Sequence, residues 1–494
     1  MRLPSKQTLL WLAIPLAFVL LVVLFYPFRY RIEFDTDEGV NAIKAMMVLR
    51  GYDLYREIWS DQPPLFTYLL AAWFSALGLR LTAGRLLVLL LSAGLIGLAA
   101  AYLRRNWSLL AAAIAGLLLA LLPFYLRLSV SMMIGLPAIA LAMASFYALA
   151  EWHARPSHLR LAASALLLGL SILTKAITAV LAPIWLIGIV IAAARDPRLR
   201  SGGGSRWIPP AIWVAVLGAV TGAALLLIVG PENLDQLFNV HLEAARSLDL
   251  EPLRGRRTLA SYLSESWPLF VLAAIGAVQA VRSRKWTALY LAGWVVAGYA
   301  LLRFTGPTWY HHQLLVTVPA AILASIAIAT GVEDLRSRSL RGAGATRFAL
   351  SLISLVLALF FLAERSPGTV EGLDARLPNL NGIPPADEGQ ERALLAAMGD
   401  HASEAHWLYT DRPIFAFLTQ LPVPPNLAVI TQKRLLTEDL TDAEIAETLE
   451  AYAPEMILNA RFVLPVVSEY MRARNFSRID ETLKYRLYLQ RNPP

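Results

Sequence analysis

Cysteine is absent from the 494 residues, which excludes disulfides, thiolate metal sites and cysteine nucleophiles and leaves no trace of a redox compartment. Histidine is scarce. The seven present include no pair four residues apart, so the two-histidine zinc motif of metalloprotease helices is missing. Charge is scarce as well: 16% of residues are charged against 57% hydrophobic, with a mean hydropathy of +0.53. That balance is too apolar for an ordinary soluble domain, and lipid is the solvent that explains it. The formal net charge of +8 is scattered between apolar runs rather than gathered on one face, which speaks against nucleic acid as a partner. Met1 to Gln7 carries two cations ahead of an apolar run that reaches Tyr26-Pro27-Phe28 without a small-residue cleavage site. The run reads as a retained first span rather than a leader.

Apolar stretches suited to a hydrocarbon core of about 30 Å lie at 8–28, 82–103, 107–126, 130–150, 176–194, 208–229, 314–331 and 347–363, with shorter ones at 160–174, 267–281 and 286–303. Residues 64–79 (PLFTYLLAAWFSALGL) follow Pro63-Pro64 and are too few for a full crossing, so they read as re-entrant. Eleven spans result. The connections 104–106, 151–160, 195–206, 282–285 and 333–347 then share one side with the N-terminus. Those 51 residues hold 17 Lys and Arg, against 9 in the 71 residues of the long opposite loops 29–63 and 231–266. The positive-inside rule makes the N-terminus cytoplasmic and the C-terminal region external.

Composition turns soluble at Glu364, with 19 acidic and 13 basic residues to the end of the chain. AHWLYTDRP and APEMILNARF read as buried strands. Between them, TDAEIAETLEAY combines a Thr cap, a Glu three residues later and apolar residues at helical spacing, which predicts a helix. The expected architecture is a multi-pass α-helical membrane domain over 1–363 and a small α/β extracytoplasmic domain over 364–494.

The acids avoid the spans: of 36 Asp and Glu, 19 fall in the tail, 7 in loop 29–63, 6 in loop 231–266 and 4 in cytoplasmic connections. A carrier coupled to protons or cations needs a carboxylate at membrane depth, so this distribution weighs against one. Five cations, Arg80, Arg85, Arg127, Lys175 and Arg303, lie at or beside the external ends of apolar segments. Each alone fits snorkelling toward headgroups; together on one side they fit the collection of an anion.

The first long loop reads FDTDEGVNAIKAMMVLRGYDLYREIWSDQPPLFTYLLAAWF, with an acidic cluster (Asp35, Asp37, Glu38), a helical stretch and a Gly-Tyr-x-Leu-Tyr turn before Pro63-Pro64. An acid here also suits helix N-capping. The loop resembles the first external loop of the GT-C superfamily of membrane glycosyltransferases, in particular the protein O-mannosyltransferase and lipid A aminoarabinose transferase branch. The resemblance continues through Gly84-Arg85-Leu86, GLSILTKA at 169–176 and WYHHQLLVTVP at 309–319.

It implies a GT-C fold of about eleven transmembrane helices with re-entrant or juxtamembrane helices, and inverting transfer of a sugar from a polyprenyl-monophosphate donor to an acceptor hydroxyl. Such chemistry needs a base for the acceptor proton and cations for the departing phosphate. By the resemblance, Asp37 is the base with Glu38 beside it and Asp35 as second choice. Lys175, Arg85 and His311 or His312 meet the phosphate, joined by Arg127. A divalent cation, if used, would draw on Asp35, Asp37 and Glu38, with Glu243 as a supplement. Two departures stand out: LRLSVSMMIGLP has no acid where related transferases usually carry one, and Gln62 stands where the aminoarabinose branch often has Lys. A lipid-linked oligosaccharide polymerase or ligase and a non-enzymatic transporter are the competing classes.

Overall fold

The structure, a computed structural model, describes residues 10–200, 205–247, 260–261, 263–304, 308–336, 345–481 and 485–491. Each of the eleven apolar runs contains a helix. Among the described residues, six helices are long and apolar enough to cross a membrane: Leu81–Asn106, Gly135–Ala154, Ala176–Arg195, Ile208–Val229, Tyr310–Arg336 and Arg347–Glu371. Ala13–Phe25, Leu109–Leu121, His158–Thr174, Trp267–Arg282 and Ala288–Phe304 are shorter apolar helices. The segment after Pro63-Pro64 is the helix Leu65–Leu77, 13 residues or about 20 Å long at 1.5 Å per residue, short of a full crossing. Side-chain caps set several starts: Ser108 opens Leu109–Leu121 and Ser157 opens His158–Thr174. Their hydroxyls accept amide protons left over in the first turn.

The tail holds a four-stranded sheet in the order β1-β2-β4-β3, with β1 Leu408–Thr410, β2 Met456–Asn459, β3 Phe476–Glu481 and β4 Arg486–Gln490. β1 and β2 run parallel; β4 is antiparallel to both β2 and β3. The two expected strand segments supply β1 and β2, and Asp442–Tyr452 is the expected helix, with the Thr441 and Glu444 capping box in place.

The division at 363/364 is less sharp than composition implies. The helix Ala345–Glu371 runs through it, and the tail shares an apolar core with the first loop. Ile43, Met46 and Met47 of the loop helix, Phe66, Leu70 and Phe74 of Leu65–Leu77, and Ile414, Phe415 and Phe417 of the tail are buried in one cluster. Phe74 and Phe417 pack with ring centroids 5.3 Å apart. Polar ties reinforce the joint. Asn379 accepts from the amides of Phe28 and Arg29 and Glu388 from that of Ile32. Arg412 pairs with the buried Glu33 at 2.7 Å. A side chain at Gly39 would place its Cβ 2.7 Å from the Ile414 amide nitrogen, so only glycine lets the tail approach here.

Candidate functional site

The site grows from the start of the helix Thr36–Leu49. Asp35 is its N-cap and accepts from the Asp37 amide at 3.2 Å; Tyr310 donates its hydroxyl to the other Asp35 oxygen at 2.7 Å. Arg127, held by the Phe34 carbonyl, comes within 3.8 Å of Asp35 and stacks over the Tyr310 ring at 5.3 Å. Asp35 is therefore committed to capping and to its two partners, as the capping alternative anticipates. Asp37 is different. Among the described residues its carboxylate has no hydrogen-bond or ion-pair partner, while its exposed surface opens into a recess densely surrounded by protein. That surrounding prevails: desolvation, then repulsion from Asp35, pushes its carboxyl up to about 6 against the attraction of Lys175 and Lys44.

Glu38 and Arg85 do not serve the roles expected of them. Both are fully buried and face each other, with Arg85 Nε 2.8 Å from one Glu38 oxygen and Nη2 2.9 Å from the other. Arg85 spends its remaining donors on the carbonyls of Phe28, Arg31 and Ile32, and Glu38 also accepts from the amides of Phe34 and Met132. With all five guanidinium N–H groups used, Arg85 has none left for a phosphate. The pair is a staple that fixes the first loop to the helix Leu81–Asn106. Gly84 belongs to the same joint, since a Cβ there would meet Met132 Sδ at 2.1 Å.

Lys175 is the cation whose charge acts most strongly on Asp37. It stands at the break between His158–Thr174 and the 3-10 turn Ala176–Val180, a position where no regular helix hides it. It is 8% exposed, and among the described residues its ammonium makes no hydrogen bond or ion pair. Burial pushes it down to about 8, with Asp37 and then Asp61 drawing it back up. His311 lies within electrostatic reach of Lys175, and its Nδ1 and both amide atoms of Gln313 are buried without a partner among the described residues. His312 turns its Nδ1 to the Trp309 amide instead. Arg80 and Arg303 are exposed at helix ends, as snorkelling side chains should be.

Sequence reasoning missed three members. Lys44, buried, donates to Ser60 Oγ at 3.2 Å and burial lowers its pKa against the pull of Asp61 and Asp37. It lies seven residues after Asp37, hence on the same helix face, a spacing that was available to read. Asp61, just before Gln62-Pro63-Pro64, is bridged by Lys433 of the tail at 2.6 Å. No local pattern announces a partner 372 residues away. Gln236 of the helix Leu234–Ser247 exchanges hydrogen bonds with Ser60 and Tyr55, so the second loop does cover this side. Its Glu243 is exposed; the side chains of His241 and Arg246 lie outside the described residues.

A metal set of Asp35, Asp37 and Glu38 is not assembled: Glu38 is locked to Arg85 and Asp35 to Tyr310. Among the described residues no three His, Asp or Glu side chains converge on a cation position.

Residues 61–226 match the family model described as dolichyl-phosphate-mannose-protein mannosyltransferase. The structure superposes on ArnT from Cupriavidus metallidurans bound to undecaprenyl phosphate with a TM-score of 0.61 at 15% identity, covering 98% of both chains. The chain has the GT-C fold. A further GT-C protein, the oligosaccharyltransferase AglB from Archaeoglobus fulgidus in complex with an inhibitory peptide and a dolichol-phosphate, matches with a TM-score of 0.53 at 12% identity, over 92% of this chain and 70% of that one. No curated protein matches the chain. With the GT-C fold and its apolar helices, this is a membrane protein, as its composition requires.

Proposed function

We propose that this protein transfers a sugar from a polyprenyl-monophosphate donor to an acceptor hydroxyl at the external face, with inversion. The observation that carries the reading is the electrostatically linked pair of Asp37, a carboxyl without a partner among the described residues and held at about 6, and Lys175, a nearly buried ammonium likewise without one and held at about 8. A base near the working pH and a desolvated cation opposite it are the two groups glycosyl transfer needs.

Asp37 takes the acceptor proton as its oxygen attacks the anomeric carbon. The bond from that carbon to the phosphate oxygen breaks, and the polyprenyl phosphate leaves with the electron pair. Lys175 neutralises the developing charge, with Arg127 and His311 at the rim and Lys44 holding the loop floor through Ser60. Attack from the face opposite the leaving phosphate inverts the anomeric carbon.

Support comes also from the neighbours: ArnT, whose match covers 98% of both chains, is bound to undecaprenyl phosphate, and AglB is in complex with a dolichol-phosphate. The match to ArnT covers both chains almost in full, whereas AglB extends well beyond this chain, and this favours the polyprenyl-monophosphate-sugar reading over the oligosaccharide one. Asp37→Asn is the test. Transfer should fall by about 10²–10⁴-fold with the thermal melt in detergent unchanged; full activity in a folded D37N protein would sink the assignment.

A further inference from the structure

The described structure contains a second charged recess, far from the first loop. A cavity of about 300 Å³ is lined by Arg105, Arg198, Arg284, Lys285, His153, Glu151 and Trp286, among others. Its place in the membrane follows from one helix. Arg85 ties the start of Leu81–Asn106 to the first loop, and Arg105 lies twenty residues further on, about 30 Å along the axis and one hydrocarbon thickness away. The cavity therefore opens at the opposite end of the bundle, among connections that the charge bias makes cytoplasmic.

Its charge is one-sided after internal pairing is counted. Arg105 is met by Glu151 and Arg198 by Asp196 at 2.7 Å. Arg284 and Lys285, in the turn between Trp267–Arg282 and Ala288–Phe304, are exposed and form no ion pair among the described residues. Among the described residues, two cations thus line the recess without an ion-pair partner. Arg284 is also held at a φ of 56°, a left-handed turn for which glycine is the ordinary choice. Trp286, 53% exposed, stands beside them as interfacial tryptophans do at headgroup level. Part of its lining is fixed by hydrogen bonds: Tyr102 bonds Thr287 at 3.0 Å, and His153 bonds Tyr290 at 3.0 Å.

We infer that this recess binds the phosphate headgroup of an anionic phospholipid in the leaflet opposite the proposed transfer site, with Arg284 and Lys285 as the charge partners and Trp286 against the glycerol region. Basic pockets between membrane helices on the cytoplasmic side suit such headgroups, and the inference stands independently of the proposed reaction.

Native mass spectrometry of the full-length protein in neutral detergent tests it, with phosphatidylglycerol, phosphatidylcholine and inorganic phosphate as probes. Wild type should retain one phosphatidylglycerol. The R284A/K285A variant should retain it about 25-fold more weakly, at roughly fivefold per surface cation, and K175A should retain it as wild type does. Equal retention in R284A/K285A, equal retention of phosphatidylcholine, loss in K175A, or displacement by millimolar inorganic phosphate would each overturn the proposal.

Discussion

The proposed reaction uses Asp37 and Lys175 in the charged states that each one's burial opposes, which predicts a pH profile. Asp37 must be ionised to accept a proton and sits at about 6; Lys175 must be protonated to meet phosphate and sits at about 8. The rate at limiting donor should rise with pH toward 6, hold between 6 and 8, and fall above 8, with both limits belonging to the interacting pair. In K175A the fall above 8 should vanish, and the rate should drop by about 10²–10³-fold. A profile flat from pH 5 to 9 in the wild type would contradict both assignments. At this scale the acidic motif was legible but its division of labour was not. Asp35, Asp37 and Glu38 look alike in sequence, and only packing shows that the first caps, the second faces the recess and the third is buried against Arg85.

The element most exposed to mutation is the first loop. Glu38 and Arg85 share a buried ion pair, and removing one partner of such a pair typically costs about 3–5 kcal/mol. Arg85→Met strands the Glu38 carboxylate and three carbonyls, whereas Glu38→Gln leaves the guanidinium those same carbonyls. Thermal unfolding in detergent should therefore rank wild type above E38Q and E38Q above R85M; the reverse order of the two variants would mean the staple is misread. The eleven apolar runs were readable as helices because a long apolar run is a local property that lipid rewards directly. The cations at their ends were not separable by the same logic. Arg80 and Arg303 snorkel, Arg85 is a structural partner and Lys175 faces the site, a sorting that depends on which neighbours each meets.

For the whole molecule, the tail is part of the foundation of the candidate site. It shares a core with the first loop, pairs Arg412 with Glu33 and places Lys433 on Asp61. Gly39→Val should push the loop away from Ile414 and lower both the melting temperature and the rate, while donor affinity in the surviving folded fraction falls in parallel. Unchanged turnover in G39V would show that the tail can detach without consequence. None of this joint was visible in the sequence: its contacts bridge residues more than 350 positions apart, and each half alone looks like an ordinary soluble surface.

Turnover of a panel of polyprenyl-monophosphate hexoses and pentoses by the purified protein in proteoliposomes, with the anomeric configuration of the transferred sugar read by NMR, tests the central claim most directly. The account predicts release of the free polyprenyl phosphate with a sugar of inverted configuration, abolished in D37N. A product of retained configuration, or transfer that survives in folded D37N, would contradict it.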